Sequence, residues 1–146
     1  MKETQKQYMT MAFGLLLLTA ICFYLIQTDT ISESKKYLDI LTKAVPMSIV
    51  IGLSASFYLG NKHLKKMKVS KKASQKFDNY KNATRIKNIC LLIPGIIACI
   101  ASLLTGEAQF LFIALAVLIV MLIAFPSNNK AMTAMEFDQK TFDKIK

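Results

Sequence analysis

Residues 89–125 read ICLLIPGIIACIASLLTGEAQFLFIALAVLIVMLIAF, with Glu107 as the single charged side chain. The glutamate lies in the polar break Thr105-Gly106-Glu107, which parts two apolar blocks, 89–104 and 108–125. Each block approaches the ~17 to 25 apolar residues that carry a helix across ~30 Å of hydrocarbon. A connection this short folds the two blocks back on each other as an antiparallel helical hairpin.

Two more blocks, 8–26 and 44–60, also lack Asp, Glu, Lys and Arg. Of 146 residues 53% are hydrophobic, yet the net charge is +10, a pairing foreign to soluble domains of this size. The reading is an all-α integral membrane protein with four transmembrane helices and N and C termini cytoplasmic. The spans are 8–26, 44–60, 89–104 and 108–125. Between and after them come an external loop 27–43, a basic cytoplasmic loop 61–88, an external turn 105–108 and a cytoplasmic tail 126–146. Pro46 and Pro94 are expected in the first turns of their spans, where a missing N–H leaves nothing unpaired. No small-x-small cleavage site follows the first block and bulky Ile21 precedes Cys22, so that block reads as a retained helix and not as a signal or lipoprotein segment.

Orientation follows from the cations. Sixteen of the nineteen Lys and Arg lie at the N-terminus, in 61–88 or after Pro126, whereas the other loops hold only Lys35, Lys36 and Lys43. The positive-inside rule places the first set in the cytoplasm. Within 61–88 ten cations face one acid, Asp78, which exceeds what topology needs. Juxtamembrane lysines gain ~1 kcal/mol each from anionic headgroups. Lys65, Lys66, Lys68, Lys71, Lys72, Lys76 and Arg85 are therefore the candidate contacts to membrane lipid or an acidic partner. Ala73, Phe77, Tyr80 and Thr84 share one helical face, with Leu64 and Met67 one turn apart upstream, and this pattern predicts a short surface-lying helix that adds Phe77 and Tyr80 to the contact set. Nucleic acid is not the expected partner: the chain has one arginine, and two aromatics do not make a stacking platform.

Small residues mark where helices meet in lipid, because no hydrophobic force draws them together there. Ser48, Gly52, Ser56 and Gly60 recur every fourth residue in the second span, and Pro94, Ala98, Ser102 and Gly106 do so in and just beyond the third. These rows are the expected packing surfaces, within the chain or in a homo-oligomer or larger membrane complex. The first and fourth spans, with Ala12 and Ala20 or Ala108, Ala116 and Ala124 between bulky residues, are expected to face lipid.

Catalytic signatures are missing. Cys22, Cys90 and Cys99 form no C-x-x-C pair, His63 is the lone histidine, and neither a hydrolytic triad nor a phosphate loop occurs. No metal site, cofactor or enzymatic activity is expected. The spans also lack the ionisable residue of an ion-coupled relay, offering only hydroxyls such as Thr19, Tyr24, Ser54, Ser56, Tyr58 and Ser102. The residues support a non-catalytic structural or accessory component of a membrane assembly. The alternative is a small oligomeric channel or transporter lined by the serine-bearing second span.

The run KKASQKFDNYKNATRIK (71–87), the span after it and LLTGEAQFLFIALAVLIVMLIAFPSNNKAMTAMEF (103–137) resemble a group of small four-span proteins of unknown function from Bacteroidetes-type bacteria. Lys72, Tyr80, Ala83, Thr105, Gly106, Pro126 and Lys130 fall on its pattern, and Ser127-Asn128-Asn129 departs from it. The resemblance implies a bacterial inner-membrane setting and carries no activity.

Overall fold

The computed structural model describes residues 2–28, 37–70 and 72–135. These form five α-helices and no strand: α1 (Lys2–Gln27), α2 (Leu38–Val69), α3 (Ala73–Thr105), α4 (Gln109–Ile123) and α5 (Asn128–Met135). Three of them, α1 to α3, are long and apolar enough to cross a membrane. A fourth crossing results if α4 and α5, bent by 62° at their junction, count as one. By length and composition the chain is thus an all-helical protein with three to four membrane-crossing helices. Of the segment read as an external loop, 27–43, residues 29–36 lie outside the described residues, as do Lys71 and the tail beyond 135.

The segment read as a basic loop is not a loop. α2 runs unbroken through 61–69 and α3 starts at Ala73, so both membrane helices continue as the arms of one hairpin. Lys, Gln, Ala and Met are good helix formers, so charge in this stretch does not interrupt the helix. Ser70 ends α2: its backbone N–H donates to the Lys66 and Met67 carbonyls, and its hydroxyl donates to Lys66 O at 2.8 Å. The Asn79 amide of α3 then donates to Ser70 Oγ at 3.2 Å, tying one arm to the other. At 1.5 Å per residue, positions 73–88 of α3 extend on the order of 24 Å beyond the apolar block.

α3 is the central helix. It packs against α1, α2, α4 and α5, and Leu91, Ala98, Cys99, Ala101, Ser102 and Thr105 are buried along it. From α1 come Tyr8, Ala12, Leu15 and Cys22, and from α4 come Phe110, Ala114, Val117, Leu118 and Met121. α2 adds only Val45 to the buried core and turns Met47, Val50, Ile51, Phe57 and Tyr58 outward. α1 and α4 each bury one face against α3 and turn the other outward, as the exposed Phe13 and Phe23 of α1 and Phe112 and Ile119 of α4 show, so the expectation that the first and fourth spans face lipid describes only their outer faces. The physical reason is complementarity: a row of small residues on α3 leaves grooves that bulky side chains fill. Gly95 shows it directly, because a Cβ there would meet Leu15 Cδ2 of α1 at 2.8 Å and Val117 Cγ1 of α4 at 3.4 Å.

Pro46 and Pro94 are a second correction, for both stand inside continuous helices and not in first turns. Pro94 has no N–H for the Cys90 carbonyl four residues back. That carbonyl points at α2, where a Cβ on Gly52 would lie 2.7 Å from it. The glycine presents a Cα–H there instead, a weak donor worth about 0.5–1 kcal/mol.

α4 ends where the chain supplies partners for its last carbonyls, which lipid cannot satisfy. Tyr8 donates its hydroxyl to Met121 O at 2.5 Å, Lys130 Nζ donates to Ile123 O and Phe125 O at 2.9 and 3.3 Å, and Gln5 Nε2 donates to Pro126 O at 3.0 Å. The Tyr8 ring also stands edge-on to Phe125, with centroids 5.6 Å apart. Ser127 Oγ accepts from the Lys130 backbone N–H and opens α5.

Candidate functional site: a basic helical hairpin

Eight of the ten cations of 61–88, all but Lys71 and Lys72, ride on two helical arms. Lys65, Lys66 and Lys68 on α2 are exposed, as are Lys72 at the start of α3 and Arg85 further along it, and Lys76 is half-buried. Lys81 folds back over the Phe77 ring, its ammonium 4.8 Å from the centroid. Lys62 and Lys66 are one turn apart on α2, and Lys81 and Arg85 on α3, so like charges stack along the helix, each such pair opposing it by about 0.2–0.5 kcal/mol.

Phe77 and Tyr80, expected at the lipid surface, face inward. They are 6% and 8% exposed and form a second apolar cluster with Met67 of α2 and Ala131 and Met135 of α5. The 4-3-4 spacing did mark a helical face, but what covers it is the neighbouring arm and α5, not a bilayer. α5 thus braces the hairpin, whose outer surface displays exposed cations.

The small-residue rows divide by position. Gly52 meets Pro94: a Cβ would come within 2.6 Å of Pro94 Cγ. Gly60 meets the Lys87 stem, whose Cγ would lie 2.8 Å from its Cβ. Ser56 is 6% exposed and Ser48 half-buried, its hydroxyl donating to Val45 O at 2.6 Å. On α3, Pro94, Ala98 and Ser102 are buried. Gly106 is different and corrects its assignment as a packing residue. It caps α3 in the left-handed region at φ 74°, its N–H donating to Ser102 O at 2.8 Å, so the role that requires glycine is the turn into α4.

Sequence reasoning missed a crevice at the base of the hairpin. Where α1, α3 and the α4–α5 bend converge, a cavity of about 340 Å³ opens between Tyr8, Tyr80, Thr84, Lys87, Pro126 and Lys130. Its residues are scattered from position 8 to 134, so no local motif announces it. Among the described residues no three His, Cys, Asp or Glu side chains come together in a way that would hold a metal ion. No protein-family model, curated protein or solved structure matches the chain.

Proposed function

We propose that this protein is a non-catalytic structural or accessory component of a bacterial inner-membrane assembly, with both termini and the basic hairpin in the cytoplasm. The hairpin contacts anionic lipid or an acidic partner. The observation that carries this reading is the braced pair of arms that displays exposed Lys65, Lys66, Lys68, Lys72 and Arg85 with one acid, Asp78, in the whole segment. Helices that carry like charges one turn apart gain when an anionic surface lies beside them. The outward apolar face of α2, with Ile51, Phe57 and Tyr58, suits either lipid or a partner helix.

The test is the native mass of the complex after gentle extraction, with co-purifying chains identified by mass spectrometry. A stoichiometric partner lost on replacing Lys65, Lys66 and Lys68 by glutamine is the expected result for an accessory subunit. A homo-oligomer that leaks solutes in proteoliposomes, with Ser54 setting the rate, would overturn it in favour of a channel lined by α2.

A further inference from the structure

α2 and α4 both lie against α3, and between them they leave a groove. Its floor and walls are Ile49 and Leu53 of α2, Leu91 and Pro94 of α3, and Val117 and Val120 of α4, and no polar atom lines its cavity of about 90 Å³. Leu91 also lines the basal crevice, so the dry groove and the crevice, mostly apolar but with Thr84, Lys87 and Lys130 in its lining, adjoin across one side chain. Taken as one cleft, they set an apolar slot beside a lysine-bearing crevice. Lys87 and Lys130 stand at its mouth beside the Tyr80 and Thr84 side chains, and from Lys87 to Pro94 the cleft descends about 10 Å along α3.

The two lysines are held in place. Lys130 spends two of its three N–H donors on the Ile123 carbonyl at the end of α4 and the Phe125 carbonyl just beyond it, which holds its ammonium at the crevice and leaves the third donor for a ligand. The Lys87 stem lies flat on Gly60, where any side chain would displace it. Lys87 lies two residues before the apolar block of α3 and Lys130 five residues after that of α4, which on the membrane placement proposed above puts both near the headgroups. A fixed cationic mouth above an apolar slot that opens toward lipid matches an amphiphile with an anionic head, not a soluble anion or a neutral lipid.

We propose that this cleft binds one anionic phospholipid per chain, its phosphate between Lys87 and Lys130 and an acyl chain along Leu91 and Pro94. The inference rests on the membrane placement proposed above, but it concerns a site distinct from the exposed hairpin lysines. Protein purified in mild detergent and supplemented with dioleoyl phosphatidylglycerol should retain one lipid in native mass spectra, with dioleoyl phosphatidylcholine retained at least tenfold less. Lys87→Gln should weaken retention about tenfold, as loss of one charge-assisted contact does. Val120→Trp should abolish it by filling the slot, with the lysines untouched and helicity by circular dichroism unchanged. Equal retention of the two lipids, unchanged retention in both variants, or displacement of the lipid by millimolar glycerophosphate would each overturn the proposal. Replacing Lys65, Lys66 and Lys68 by glutamine separates the two ideas. It should lower association with anionic vesicles and leave the retained lipid in place, and loss of that lipid would place its binding on the hairpin surface and not in the cleft.

Discussion

Gly52→Ala is the most informative single substitution because the structure supplies its own control. A methyl at position 52 would come within 2.6 Å of Pro94 Cγ and 2.7 Å of the Cys90 carbonyl oxygen, whereas a methyl at Gly14 of α1 meets nothing within 4 Å. The proline ring can shift a little, but the carbonyl belongs to the backbone of the central helix and cannot. α2 must therefore move away from α3. Overpacking of this kind costs about 1–3 kcal/mol. Both alanine variants gain the same helix preference, up to about 1 kcal/mol, so the difference between them isolates the clash. Unfolding in mixed micelles, followed by circular dichroism, should rank Gly14→Ala at or above the parent and Gly52→Ala about 1–3 kcal/mol below Gly14→Ala. A Pro94→Ala background should shrink that gap, because it removes the ring and gives the Cys90 carbonyl an N–H partner. Equal stability of the two variants, within about 0.5 kcal/mol, would refute the claim that α2 and α3 meet at Gly52.

Gly106→Ala should destabilise the turn between α3 and α4 by about 1–2 kcal/mol, because the left-handed conformation brings a Cβ too close to the following carbonyl, and the same unfolding assay reads it. Tyr8→Phe should cost about 1–3 kcal/mol, since it strips the Met121 carbonyl of its donor in a buried setting, while Tyr24→Phe, at an exposed position, should be silent. Phe77→Ala should release α5 from the hairpin, read as faster proteolysis within 128–135 with the membrane helices still protected.

The long apolar helices were legible in the sequence because lipid demands long uncharged runs: 8–26, 44–60 and 89–104 fall within α1, α2 and α3, while 108–125 becomes the shorter α4, which reaches spanning length only together with α5. What those runs did not reveal is which helices are buried. In lipid a leucine gains little by facing a neighbour over facing an acyl chain, so apolarity carries no burial signal. α4 is the example, nearly uniform in composition yet buried at Phe110, Ala114, Val117 and Met121. The hairpin was hidden for the opposite reason. Its lysines read as loop, although they favour helix, and only the Ala73, Phe77, Tyr80 and Thr84 spacing betrayed a face needing cover. The partners of that face, Ala131 and Met135, are more than fifty residues away, beyond the reach of local pattern. At the crevice the obstacle is the same, because Tyr8, Lys87 and Lys130 belong to three different helices.

The unbroken arms of the hairpin have a mechanical consequence. α2 is 32 residues long and α3 is 33, and neither has a break between its cationic end and its apolar end. Each is a rod on the order of 48 Å. A force applied at Lys65 or Lys76 meets no slack joint along its helix before it reaches the contact between Gly52 and Pro94. The prolines at 46 and 94, each missing a backbone hydrogen bond, are where such a lever yields first, so a tug on the charged tip becomes a change in how two helices cross inside the membrane.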